Sequence, residues 1–295
     1  MSGFIIDTAR LQTRLLWKRF PKNWAADINM VTTDYGKLRV KDTGGNKPVI
    51  ISVPDGPNVI EHHEELIAKL AKNYRVVCFE LPGFGFSYPQ KSYDYSFELT
   101  AKIIINLMDV LQVKRASLSF SCANGFYGIT VARMIPERIE HLFLAQTPAM
   151  HQMQEWAKRS IPKPLKTPWI GQVANAFLEK KLARIWYQYA LPKDMDTSDF
   201  QQKALANIKS GGCFCLSSLV QGLAKEMKTP FKDVEIPTTL VWGNKDFTHR
   251  NTNFNSIKEH LPTCKIVEFD NCGHFPDLEN TTKYAGLINE TLAPS

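Results

Sequence analysis

The sequence predicts an α/β protein with a mostly parallel, doubly wound central sheet, helices on both faces and a helical cap inserted between two strands. Three observations predict this. Short apolar runs recur along the chain, helical periodicities separate them, and the alternation breaks once, over residues 148–232, before it resumes.

Taken in order, residues 8–20 (TARLQTRLLWKRF) place Leu11, Leu15, Leu16 and Phe20 near one helical face, flanked by Arg10, Arg14, Lys18 and Arg19. This amphipathic segment, 1–27, is expected either to dock on its own domain or to touch an anionic membrane surface peripherally. From residue 28, INMVTTDYGKLRVKDTG reads as a hairpin around Tyr35-Gly36. PVIISVP (48–54) and YRVVCFEL (74–81) are short apolar runs, as buried strands of a parallel sheet should be. Helical periodicity lies between them at 60–72. A helix over 96–113, a strand at 116–121, a helix at 123–135 and a strand at 141–147 continue the pattern. TTLVWGN (238–244) restarts it, followed by a helix near 252–261, a strand at 265–271 and a last helix near 276–290. The core is thus expected over 28–147 and 233–295, with 148–232 as the cap. Such a cap lies over the carboxyl ends of the strands, where these sheets bind ligands.

Composition excludes several classes. The chain has 295 residues, 44% apolar and 22% charged, as in ordinary globular proteins. The net charge of +7 is uneven: residues 148–232 carry 13 Lys or Arg against 6 Asp or Glu, and residues 1–27 carry 5 against 2. A basic block on a near-neutral body points to an anionic substrate handle or an acidic partner rather than to nucleic acid. The six cysteines include no CxxC pair, which argues against both a disulfide framework and a zinc site. No apolar run reaches membrane-spanning length and the start has no signal-peptide pattern, so a reducing cytoplasm is the expected location. No phosphate loop or metal-ligand cluster stands out, and no cofactor is expected.

Three segments carry chemistry. In LSFSCANGFYG a strand turns directly into a helix, with Cys122 at the corner. A tight strand-to-helix turn projects its corner side chain from the sheet, and the following helix aims N–H groups at the reacting atoms. A thiol there ionises more readily, and a neighbouring histidine helps further. In LVWGNKDFTHR, Asp246 lies just past a strand end. In FDNCGHFPDLEN, His274 follows a strand and a glycine, and Pro276 then opens a helix. Each residue alone has a bland reading as core cysteine, turn former or structural histidine. The order nucleophile, acid, histidine, each after a strand on one sheet edge, favours the catalytic one. His249, Cys272, His62 and His63 read as structural.

From about 28 to 290 the chain resembles the cap-containing members of the α/β-hydrolase superfamily. The likeness rests on FELPGFGFS (79–87), VARMIPERI (131–139), VWGNKD (241–246) and GHFPDLEN (273–280). In that family the elbow reads G-x-S-x-G-G, and a proline follows the nucleophile by fourteen residues. Counting back from Pro136 gives Cys122. The resemblance therefore implies Cys122 as nucleophile, His274 as base and Asp246 as the orienting acid, with the backbone N–H groups of Ala123 and Gly56 as oxyanion hole. Trp156, Trp186 and Phe275 are candidates for the substrate pocket. Two departures stand out. Phe120 and Asn124 replace the flanking small residues of the elbow, although Gly125 is retained. Pro54 and Asp55 replace the His-Gly of the oxyanion loop, and a carboxylate at Asp55 opposes a developing oxyanion unless it points away.

With that triad the expected chemistry is a thioester acyl-enzyme, released by water in a hydrolase of esters, thioesters or lactones. Another acceptor would make it an acyltransferase or cyclase. A non-catalytic ligand-binding member of the fold is the reading from another class. The apolar, aromatic cap favours a bulky or acyl-chain substrate, and its charge suits a CoA- or carrier-protein-linked one. The sequence sets no oligomeric state.

Overall fold

The computed structural model describes residues 3–16, 25–89, 93–226, 231 and 234–293. Strands β1 (Ile28–Thr33) and β2 (Gly36–Asp42) form the expected hairpin, closed by the Thr33–Gly36 pair. They are followed by β3 (Val49–Val53), β4 (Arg75–Phe79), β5 (Ala116–Ser121), β6 (Ile139–Ala145), β7 (Thr238–Gly243) and β8 (Lys265–Phe269). The strands lie in the order β1-β2-β4-β3-β5-β6-β7-β8, and a two-residue strand, Tyr88–Pro89, also pairs with β2. Strand β2 runs antiparallel to β1 and β4, and every later neighbour is parallel. The order steps outward from β3 in both directions, which is the doubly wound arrangement the alternation predicts. All six residues of β5 and of β7 are buried; TTLVWG in β7 accordingly does not alternate, whereas β5 (ASLSFS) alternates apolar residues with serines small enough to be buried as well.

The helices are α1 (Phe4–Leu16), α2 (Glu64–Leu70), α3 (Phe97–Val110), α4 (Asn124–Met134), α5 (Met150–Ser160), α6 (Ile170–Ala190), α7 (Ser198–Lys209), α8 (Leu216–Glu226) and α9 (Thr281–Leu292). Helices α5 to α8 fall between β6 and β7. A short antiparallel pair, Phe84–Gly85 with Cys213–Phe214, ties them to the loop after β4. Two elements differ from expectation. The segment expected as a helix at 252–261 is a 3₁₀ turn, Phe254–Glu259, whose Asn253 cap accepts the Asn255 N–H. The helix expected at 276–290 breaks after Pro276–Glu279. There Asn280 leaves helical backbone and its side chain caps α9 by accepting the Lys283 N–H.

Helix α1 docks on the cap. Leu11 is buried, Asp7 accepts a hydrogen bond from Ser218 Oγ at 2.6 Å, and Arg10 pairs with Glu179 at 3.2 Å. The side chains of Arg14, Leu15 and Leu16, and residues 17–24 including Lys18, Arg19 and Phe20, lie outside the described residues. Among the described residues no helix is long and apolar enough to cross a membrane.

Strand β5 and helix α4 pack closely because small residues stand where they meet. A Cβ added to Gly128 would lie 3.1 Å from the Phe120 ring, so this glycine makes room for the bulky residue at the elbow. A Cβ on Gly125 would lie 2.3 Å from Thr147 Oγ1. Gly125→Ala is therefore expected to lower stability by about 1–3 kcal/mol through overpacking. Gly286→Ala, where an added Cβ meets nothing within 4 Å inside α9, is expected to raise it by about 1 kcal/mol. Urea midpoints of the two variants check both signs.

Candidate active site

The corner between β5 and α4 is built around Cys122, whose φ of 52° is in the left-handed region that a non-glycine residue adopts only when its surroundings impose it. Those surroundings are short hydrogen bonds. The Cys122 N–H donates to Ala145 O at 2.7 Å, and the Cys122 carbonyl accepts from Thr147 Oγ1 at 3.0 Å and from the Gly125 N–H at 3.1 Å. Ala123 follows as the cap of α4, and its backbone amide lowers the Cys122 thiol, against the larger effect of burial. Asn124 Nδ2 reaches Pro54 O at 3.4 Å, joining the elbow to the loop after β3.

Asp246 stands just past β7 and is surrounded by donors. Its Oδ1 accepts from the Thr248 N–H (2.8 Å), Thr248 Oγ1 (2.7 Å) and the His249 N–H (3.3 Å). Its Oδ2 accepts from Gln146 Nε2 (2.8 Å) and His274 Nδ1 (2.6 Å). Gln146 follows the end of β6, where its φ of 49° turns the side chain back. Its Oε1 also accepts the Gly243 N–H at 2.8 Å.

His274 is held by its own loop. Its N–H donates to Ala190 O, the last residue of α6, at 2.8 Å. A Cβ on Gly273 would fall 2.3 Å from that same oxygen, so the close approach requires glycine. Glu279 fixes the loop by accepting the N–H groups of Gly273 (2.6 Å) and Phe275 (2.8 Å). The ring is fully buried. Its Nδ1 faces Asp246, and its Nε2 lies 3.3 Å from Asp55 Oδ2 without an aligned hydrogen bond. Asp55 therefore does not point away from the site. It aims its carboxylate at the imidazole.

This arrangement shifts every proton in the site. Burial alone would raise the Asp246 carboxyl, but the His274 ring and the hydroxyl and amide donors outweigh it and hold the group far below the usual carboxylate range. For His274, burial disfavours charge. Asp246, the negative charge of a Cys122 thiolate and Asp55 act against that penalty, and the ring is raised well above the ordinary imidazole range. Burial pushes the Cys122 thiol up. Asp55 pushes it further, and the imidazole pulls against both. Asp55 is itself raised by burial, with His274 opposing.

The other residues singled out by sequence surround this centre. Trp156 is buried, stacks on His249 at 4.9 Å and donates from Nε1 to Thr248 Oγ1 at 3.2 Å. Trp186 meets the His274 ring edge-on at 5.1 Å. Phe275 is buried and packs edge-on against His274 at 5.0 Å, with Tyr187 and Phe200 behind it. Gly56 sits where a Cβ would come within 2.6 Å of Phe84, so the loop after β3 admits no side chain there. Cys272 is packed in the core. His62 bonds to Phe200 O, and burial pushes His62 to about 4 and His63 to about 3, so both are neutral.

The sequence gives no signal for Gln146, marks Asp55 only as a departure in the oxyanion loop and leaves His249 a structural reading. Gln146 orients the acid and Asp55 faces the base. His249 stacks near the His274 ring at 5.3 Å, with Nδ1 bonded to Thr252 Oγ1 at 3.1 Å and burial pushing it to about 3. Cys122, His249 and His274 offer donor atoms within 4.8 Å of one another, and among the described residues this is the set that could hold a metal ion. A cavity of about 370 Å³ adjoins the site. Trp186 and Thr248 form its inner wall, and Ile161, Leu182, Ile185 and Phe247 are among the apolar residues that line it.

The family model for the alpha/beta hydrolase fold matches residues 48–281. A 2-hydroxy-6-oxononadienedioate/2-hydroxy-6-oxononatrienedioate hydrolase of Burkholderia vietnamiensis is 23% identical over 277 residues, covering 89% of this chain and 93% of that protein. Lipase 1 of Psychrobacter immobilis is 25% identical over 268 residues, covering 86% and 80%. Epoxide hydrolase A of Mycobacterium thermoresistibile, a solved structure, has a TM-score of 0.77 at 13% identity, covering 90% of this chain and 97% of that one, a likeness of fold alone. With the sheet order and the strand-to-helix corner already described, the match over 48–281 makes this chain a member of the α/β-hydrolase fold family.

Proposed function

We propose that this protein is a hydrolase of esters, thioesters or lactones with a bulky or acyl-chain substrate, working through an acyl thioester on Cys122. The observation that carries this reading is the corner itself. A left-handed cysteine and an imidazole anchored by a buried carboxylate meet at one sheet edge, with sulfur and ring nitrogen within 4.8 Å of each other. The hydrolase names of the curated relatives agree with the reaction class and leave the nucleophile open.

The proton inventory gives Asp55 a part. At rest His274 carries a proton on each nitrogen, Cys122 is a thiol and Asp55 is a carboxylate. Transfer of the Nε2 proton to Asp55, and of the thiol proton to Nε2, yields a thiolate beside an imidazolium with no net charge created. The sulfur then attacks the acyl carbonyl, forming the S–C bond as the carbonyl electrons move onto oxygen. The Ala123 N–H, with the Gly56 N–H as its partner, stabilises that oxyanion. Collapse expels the leaving group, which takes the proton from His274 Nε2. Water next gives a proton to Nε2 as it attacks the thioester, and collapse frees the acid and returns the thiolate. Having taken the Nε2 proton, Asp55 is neutral when the oxyanion forms and does not oppose its charge. Cysteine suits this site because its thiolate is reached at lower cost than a serine alkoxide in such a dry corner.

Two outcomes are expected. Incubation with activated esters and acyl thioesters adds one acyl mass to the protein, and Cys122→Ala abolishes that increment. His274→Ala slows its appearance by at least about a hundredfold, the scale of a lost general base. An acyl adduct that persists in Cys122→Ala, or none on the wild type with any ester or thioester, contradicts the reading. Second, because the Asp55 charge adds to burial in raising the thiol, Asp55→Asn moves the rise of Cys122 alkylation with pH to lower pH. Peptide mass mapping of iodoacetamide labelling against pH measures it, and an unchanged midpoint contradicts the role given to Asp55.

A further inference from the structure

The second half of helix α6 buries Ala183, Tyr187 and Ala190, but its first half is built inside out, burying Gln172, Asn175 and Glu179. Their partners explain why polar groups can lie inward: Gln172 bonds Ser218 and Gln221, Asn175 bonds Phe214 O and the Ser217 N–H, and Glu179 pairs with Arg10. Its outward side carries Ile170, Val173, Phe177 and Leu178. Ile170 is 60% exposed and Phe177 84%. A helix packed on a water-soluble domain normally has the opposite polarity. Among the described residues, eight of the eleven large apolar side chains that are exposed belong to Trp169, α6 or Phe247. That concentration separates the patch from the scattered apolar residues any surface shows.

Cations predominate on this face, with Asp194 the acid at its edge beside Lys193. Lys180, Lys181 and Arg184 are exposed on α6, between Phe177 and Ile185 along the helix, and the only acid of the helix, Glu179, is buried against Arg10. Arg250 lies 4.0 Å over the exposed Phe247 ring and Lys193 lies 5.7 Å from it. Apolar side chains interleaved with cations fit the boundary between anionic headgroups and acyl chains, where both kinds of group are satisfied together. An acidic protein surface would match the cations and leave the aliphatic residues without a partner. A second copy of this chain would set like charges against one another.

The cavity beside the active site leads to the same face. Ile185, Tyr189 and Phe247 are at once exposed and part of its wall, and Arg159 and Arg250 stand among them, while Trp186 on the inner side touches His274. We infer that the α6 face of the cap is a docking surface for an anionic lipid bilayer, and that the adjoining cavity admits an acyl chain from that bilayer. The second half of this inference rests on the acyl-enzyme reading. The docking itself does not.

Sedimentation of the full chain with vesicles separates the two. Wild type is expected to bind vesicles containing phosphatidylserine and to bind pure phosphatidylcholine vesicles far more weakly. Cys122→Ala is expected to bind as the wild type does, so a failed acyl-enzyme reading leaves this result standing. Phe177→Asp is expected to lose most of the binding. The triple variant Lys180→Gln, Lys181→Gln, Arg184→Gln is expected to bind about a hundredfold more weakly, on the scale of three lost cations at an anionic surface. All of these positions are exposed, and circular dichroism checks that each variant is folded. Absence of wild-type binding to anionic vesicles overturns the inference, as does binding that both variants leave unchanged. Self-association removed by Phe177→Asp in a protein that ignores vesicles also overturns it, by assigning the face to a second copy. If docking holds, an ester carried in the vesicle acylates the wild type faster than it acylates the triple variant. Equal rates overturn the cavity's part alone.

Discussion

A carboxylate buried with five donors around it is the charge on which this sheet edge is organised. Asp246 receives two bonds from Thr248, one from the His249 N–H, one from Gln146 and one from His274. Such a group stays ionised in a dry environment because its donors replace water. Its charge then fixes the proton on His274 Nδ1 and the plane of the ring. It also draws in Gln146, which binds the Gly243 backbone and so ties the ends of β6 and β7 together. Removing Asp246 would release the ring, the side chain of Gln146 and the turn at Thr248 together.

The second carboxylate gives the site its particular balance. With Asp246 at Nδ1 and Asp55 near Nε2, the imidazole lies between two negative groups, and Cys122 is the third member of the set. A serine hydroxyl in this corner would have to lose its proton to a ring that already carries two. A thiol does so at lower cost because it is the stronger acid, and the proton displaced from Nε2 has a carboxylate to receive it. The departures from the usual elbow and oxyanion loop thus belong together: Asp55 replaces a residue of the loop, cysteine replaces serine, and Gly128 makes room for Phe120.

Much of this was legible in the residues. Strands buried on both faces appear as mainly apolar runs without charge at their centres, so β3, β4 and β7 could be read directly, and the order of Cys122, Asp246 and His274 after three strands marked one edge. Contacts between distant segments were less visible. His249 is only three residues from Asp246, yet its approach to His274 depends on how the loop after β7 curls. Asp55 was legible as a departure, but its aim at Nε2 depends on the turn at Gly56. Gln146 gave no signal, because only its left-handed backbone turns the amide toward Asp246. The reversed polarity in the first half of α6 is encoded by partners far off in sequence, Arg10 and Ser218 among them. Helical periodicity identifies an amphipathic helix and leaves open which face the rest of the fold will cover. The break at Asn280 follows from a local cap that a longer apolar periodicity obscured.

The central claim is that His274 rests as an imidazolium between two carboxylates with a neutral thiol beside it. The ¹⁵N chemical shifts of its ring nitrogens in histidine-labelled protein, identified among the seven histidines by loss of one signal pair in His274→Ala, test this most directly. The account predicts that both nitrogens are protonated at neutral pH and remain so well above the pH at which a free imidazole titrates. A neutral ring at pH 7, with one nitrogen bare, would contradict it.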